Sequence, residues 1–122
     1  MRVTKFEDLL VWQKSILISM EIYQLYSDNN DWGFKNQIQR ASVSIANNIA
    51  EGFDRSSDKE FKRFLFIALG SASEVRSMNY LAAKLMYISL VEYEVCNDHL
   101  IEISKMLNGL SRSLIRNEVK YL

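Results

Sequence analysis

The stretch YEVCNDHLIEISKMLNGLSRSL, residues 93–114, carries the plainest structural signal in the chain. Tyr93, Cys96, Leu100, Ile103, Leu107, Leu110 and Leu114 recur at alternating steps of three and four, which lines them up along one side of a helix. Such a line is a bundle seam. Just before it, Ser89 and Glu92 have the form of a capping box, in which a serine and a glutamate three residues later satisfy each other's backbone amides. Ser57 and Glu60 repeat the signature. These two starts divide the second half of the chain into helices over about 58–88 and 90–117.

Upstream, apolar spacing predicts helices over about 6–27 and 33–53, separated by the loop-like SDNNDWG at 27–33. On the first of these, Leu9, Trp12, Ile16, Tyr23 and Tyr26 share one face, with Leu10, Leu17 and Met20 beside it. The chain has no proline and only four glycines, too few turn residues for a sheet protein. Its 122 residues fit one domain, 1–122. Hydrophobic residues at 48% and charged residues at 25% are globular values and exclude a disordered tail protein. Short connections make successive helices antiparallel, so the expected fold is all-α, an up-down-up-down four-helix bundle.

One segment exceeds what a lone bundle needs. FKRFLFIALG, residues 61–70, sets Phe61, Phe64, Leu65, Phe66, Ile67 and Leu69 almost all the way round the helix, and a single core takes only a stripe. Phe64, Phe66 and Ile67 are therefore the candidate interface for self-association.

The second helix raises a different question with SIANNIAEG, residues 44–52, because asparagine is a poor helix former. Asn47 falls in line with Gln37, Arg40, Ser44, Glu51 and Arg55, a polar stripe. Asn48 lines up with Ala41, Ile45 and Gly52, a seam of small and apolar residues. A buried Asn48 must find partners, which GSASE at 70–74 offers on the third helix. Glu74 has no basic residue three or four positions away, which makes Arg40 its expected partner across the helix pair. Gly52 is either the residue that ends the second helix or a point of close approach. Arg40, Asn48, Gly52 and Glu74 thus form a candidate structural polar group.

Formal net charge is zero, with 15 basic and 15 acidic residues, so the chain lacks the basic balance of most nucleic-acid-binding domains. Its basic groupings are local. Arg55, Lys59, Lys62 and Arg63 surround the junction of the second and third helices, where a helix N-terminus adds positive potential for a phosphate. Lys105, Arg112, Arg116 and Lys120 form a stripe late in the fourth helix, where basic residues also complement the helix dipole. The single cysteine, Cys96, cannot form an internal disulfide and suits a reducing compartment. With no signal-like start and no run near the length of a membrane span, the expected location is cytoplasmic.

QIQRASVSIANNIAEGFDR at 37–55, EFKRFLFIALGSASEV at 60–75 and YISLVEYE at 87–94 together resemble the bacterial four-helix-bundle family encoded in intervening sequences of 23S ribosomal RNA genes. The resemblance spans nearly the whole chain. It implies a small cytosolic bundle assembling into a ring-like homopentamer. Related accessory proteins of diversity-generating retroelements form the same kind of ring and are implicated in binding RNA and a reverse transcriptase. The family commonly has proline where Ala46 stands here, and alanine keeps the second helix straighter.

No catalytic, cofactor or metal site is legible. His99 is the only histidine, Cys96 lies on the apolar seam, and Cys96 stands where a di-iron bundle would place glutamate three residues before its histidine. GSASE is mid-helix, outside the strand–turn–helix setting of a nucleophile elbow. The expected function is a non-enzymatic, self-assembling scaffold or adaptor, with itself as one partner and RNA or an RNA-binding protein as the other. The alternative is a structural protein–protein interaction module with no nucleic-acid role.

Overall fold

A computed structural model describes residues 3–115 of the chain. A short 3-10 turn at Phe6–Asp8 leads into α1 (Leu10–Leu25), α2 (Trp32–Phe53), α3 (Asp58–Lys84) and α4 (Leu90–Ile115), with no strand among the described residues. Each helix packs on the next and α1 closes on α4, while α1 and α3, like α2 and α4, stand diagonally, with no Cα pair within 8 Å among the described residues. The pairs Lys14–Glu102 and Glu21–His99 ascend α1 while descending α4, and Gln37–Glu74 and Ser44–Ser71 do the same for α2 and α3. The fold is an antiparallel four-helix bundle round one core.

Side chains fix the starts of α3 and α4 as the sequence indicated, and that of α2 as well. The Ser89 box is reciprocal: the Glu92 amide donates to Ser89 Oγ at 3.0 Å, and the Ser89 amide donates to Glu92 Oε1 at 2.8 Å. At Ser57 the hydroxyl accepts from the Glu60 amide at 3.2 Å, but the Glu60 carboxylate is engaged by Arg63 instead. Asp31 caps α2 by accepting from the Phe34 amide, and it also accepts from the Tyr87 hydroxyl at 2.7 Å. Those two hydrogen bonds, the Tyr87 one foremost, hold its carboxyl below the usual carboxylate range. One carboxylate thereby ties the α1–α2 loop to the α3–α4 turn.

Two boundaries differ from expectation. The first helix starts at Leu10 because Leu9 is extended (φ −75°, ψ 124°) between the 3-10 turn and α1. The third stops at Lys84, short of Ile88, because Met86 takes a left-handed φ of 61°. There the Tyr87 amide reaches back to the Ala82 carbonyl and the Met86 amide to Ala83, a Schellman ending. Glycine usually signals that ending, and methionine gives no such cue. For the fourth helix, Arg116 and Lys120 lie outside the described residues.

The phase of α1 also needs correcting. Val11, Ser15, Ile18 and Ile22 face the core, joined by Leu9 and Tyr26 from the helix ends. Leu10, Leu17, Met20 and Tyr23 point outward instead. The seam of α4 is as expected, with Cys96, Leu100, Ile103, Leu107 and Leu114 buried.

Gly52 is a close-approach glycine, one residue inside the end of α2 and without a positive φ. A β-carbon there would lie 2.5 Å from Phe64 Cβ and 3.0 Å from the Phe61 ring. Phe64 Cβ is bonded to the α3 backbone, so a side chain at 52 would force the helices apart. Gly52→Ala should therefore destabilise the bundle by about 1–3 kcal/mol, overpacking outweighing the gain in helix propensity. Gly109→Ala, where the nearest atom is an Arg112 guanidinium nitrogen at 3.9 Å, should stabilise it by about 0.5–1 kcal/mol. Denaturant midpoints of both variants at matched concentration check the opposite signs.

Candidate functional site

The basic cluster at the α2–α3 junction is assembled, but half of it is already engaged. Arg55 donates to Glu51 Oε2 at 2.7 Å and Arg63 donates to Glu60 at 3.3 Å. Their guanidinium carbons also sit 4.8 and 4.6 Å from the centre of the Phe64 ring. The Arg63 guanidinium holds the Glu60 carboxyl below its ordinary range. Lys59 and Lys62 are exposed.

The expected interface trio divides. Phe66 is 76% exposed and Ile67 is exposed as well, whereas Phe64 is only 6% exposed. Phe64 fills the space that Gly52 leaves and is roofed by the two arginines, so it belongs to the bundle's own packing. The structural polar group is also rearranged. Arg40 is exposed and is no partner of Glu74, which is exposed and accepts from Gln37 Nε2 at 3.3 Å. Asn48 is half-buried and donates to the Ser44 carbonyl at 2.8 Å and to Ser44 Oγ at 2.9 Å. Ser44 Oγ lies 2.9 Å from Ser71 Oγ. Asn48 thus reaches α3 through a serine of its own helix.

The polar group that does cross the core escaped the sequence reading. Asn79 on α3 is fully buried; its Oδ1 accepts from the Tyr26 hydroxyl at 2.7 Å, and its Nδ2 donates to Cys96 Sγ at 3.1 Å. This links the end of α1 to α3 and α4. Burial, reinforced by the nearby Glu21 carboxylate, pushes the Cys96 thiol up to about 12. The signal was present: Asn79 lies four and seven residues beyond Val75 and Ala72, on the buried line of α3.

Beside this network, a groove of about 150 Å³ between α1 and α4 is lined by Leu17, Ile18 and Ile103 with the pairs Lys14–Glu102 at 3.2 Å and His99–Glu21 at 2.9 Å. The cysteine behind it is buried and its thiol held protonated, so it presents no thiolate to the groove. Among the described residues, no group of three or more His, Cys, Asp or Glu side chains is placed to hold a metal ion. Nor is any helix of the described residues long and apolar enough to cross a membrane.

Asn79→Ala should destabilise the bundle by about 1–3 kcal/mol, since it strands the Tyr26 hydroxyl in the core. Tyr26→Phe combined with Asn79→Leu should cost less than the two separate losses added together, which a double-mutant cycle of unfolding free energies reads directly. A thiol reagent such as Ellman's should label Cys96 only on unfolding.

The chain matches the model of the family described as 23S rRNA-intervening sequence protein over residues 7–109. No curated protein matches it. Among solved structures it is similar to a protein of unknown function of the S23 ribosomal protein family from Bacteroides thetaiotaomicron, at a TM-score of 0.79 and 29% identity. That likeness covers 84% of this chain and 99% of the other. With helix ends, seam and Gly52–Phe64 packing in place across the matched span, the chain belongs to the family of 23S rRNA-intervening sequence proteins.

Proposed function

We propose that this protein is a non-enzymatic, self-assembling helical scaffold. The observation that supports the reading is the apolar surface left outside a complete core. Phe66 and Ile67 stand out from α3, while Leu17 and Met20, at 63% and 62% exposure, stand out from α1. Soluble monomers rarely carry large apolar side chains in such number without covering them. Burying each is worth roughly 1.5–3 kcal/mol, enough for a repeated contact to hold an assembly together. The family resemblance supplies the number five and a ring-like form.

Between the two kinds of client, protein and RNA, the ion pairs at the α2–α3 junction favour protein. Arg55 and Arg63 would have to leave Glu51 and Glu60 to meet a phosphate, which leaves Lys59 and Lys62 as the available charges. Repetition round a ring would still multiply a weak site.

Light scattering coupled to size exclusion should give a mass near five times 14.2 kDa, and Phe66→Asp should lower it while circular dichroism stays helical. A wild-type monomer at micromolar concentration would sink the scaffold reading. In a salt titration with single-stranded RNA, two lysines per copy allow a slope of only about −1.4 per copy engaged. A much steeper slope would restore the arginines as contacts and RNA as the client.

A further inference from the structure

We infer that the occupant of these surfaces is a second copy of the chain, bound head to tail, with the outward face of α1 from one copy packed along the outward face of α3 from the next. The inference rests on the self-assembly reading and names the two surfaces that meet.

Both faces have been cleared of charge by sideways pairing. On α1 the outward residues are Leu10, Gln13, Leu17, Met20 and Gln24, all exposed. The helix's only charges, Lys14 and Glu21, are turned to Glu102 and His99 of α4. On α3 the outward residues from 66 to 81 are Phe66, Gly70, Ser73, Ser77 and Leu81, also exposed. The charges within that stretch, Glu74 and Arg76, reach to Gln37 on α2 and Asn97 on α4. At 1.5 Å per residue each uncharged face runs about 21–22 Å.

The faces are also level with each other. Ser19 donates to the Ser42 carbonyl, and Ser44 meets Ser71, so α1 residues 17–20 stand at the height of α3 residues 71–74. Leu17 and Met20 therefore lie opposite the small residues Gly70, Ser73 and Ser77 when two copies stand side by side in the same orientation. Charges of opposite sign then meet at both ends. Glu7 and Asp8 come level with Lys62, with Lys59 beside it, and Asp28 comes within a turn of Lys84. Lys5 lies about a turn beyond that first acidic pair, and Glu60 is taken up by Arg63.

Gly70 adds an independent observation. Within one copy a β-carbon there meets nothing within 4 Å, yet glycine in a helix interior costs stability relative to alanine. The bundle's own packing does not require it. A neighbour's α1 seated over it does. Because α1 and α3 are diagonal in the bundle and turn these faces outward, one copy cannot bring its two faces together. Two unlike faces give a heterologous contact, which repeats from copy to copy and forms a ring where the rotation between neighbours closes and an open filament where it does not.

The test is a mixing experiment with one face disabled at a time. Leu17→Glu removes the α1 face and Phe66→Asp the α3 face; both positions are exposed, so the bundle should stay folded by circular dichroism. Each variant alone should run as a monomer. Mixed in equal amounts across a concentration series, they should form a one-to-one dimer of twice 14.2 kDa, since one intact face of each kind remains. Gly70→Gln, which favours the helix but fills the groove, should raise monomer stability and weaken assembly together. If Leu17→Glu assembles like the wild type, the pairing is wrong while self-assembly stands. If either variant alone still dimerises, the contact joins like faces and the head-to-tail arrangement falls; if the mixture stays monomeric while the wild type assembles, the α1–α3 pairing itself is wrong. A monomeric wild type would instead overturn the self-assembly reading on which the pairing rests.

Discussion

How closely α2 and α3 approach is set by Gly52, whose missing side chain is replaced by Phe64. At a hypothetical separation of 2.5 Å between β-carbons no other residue fits, so the glycine admits Phe64 into the interior while Phe61 is drawn in beside it. The same approach brings Ser44 to within 2.9 Å of Ser71 further along the pair. With α2 and α3 fixed, the two remaining helices have a defined trough to fill: α1 packs on α2 and on α4, and α4 packs on α3 and closes the ring of contacts.

Apolar packing of this kind tolerates sliding, because one leucine resembles another. The Tyr26–Asn79–Cys96 chain opposes sliding, since each of its hydrogen bonds exists at one register only and a buried polar atom without a partner is costly. It lies toward the end of the bundle that holds the α1–α2 and α3–α4 connections, where Asp31 and Tyr87 join the two loops. The opposite end is held by the glycine contact. Two different physical devices thus govern the two ends of one core.

The exposed surface follows from how the charges are disposed. Lys14, Glu21, Glu74 and Arg76 all bond sideways to neighbouring helices, which stabilises the seams between helices and leaves the outer faces of α1 and α3 uncharged. The guanidiniums at the α2–α3 junction likewise turn inward, over Phe64 and onto Glu51 and Glu60. The two arginines of a cluster that looks like a phosphate site in one dimension form a local roof in three.

Helix number, the starts of α3 and α4 and the α4 seam could be read directly from the chain, because caps and seams are local: Ser89 and Glu92 are three residues apart wherever the helix goes. The family could be read too, since its motifs are contiguous. The facing of α1 could not. Its apolar residues surround the helix, so spacing alone offers several equivalent inward faces, and the choice of Val11, Ser15, Ile18 and Ile22 is made by what α2 and α4 present. The end of α3 at Met86 was hidden because a left-handed methionine leaves no trace in composition. Arg40 and Phe64 were given the wrong partners and Asn79 went unread for the same reason: burial and partnership are properties of pairs of helices. A single strand of letters specifies each helix, but not which of its sides meets a neighbour.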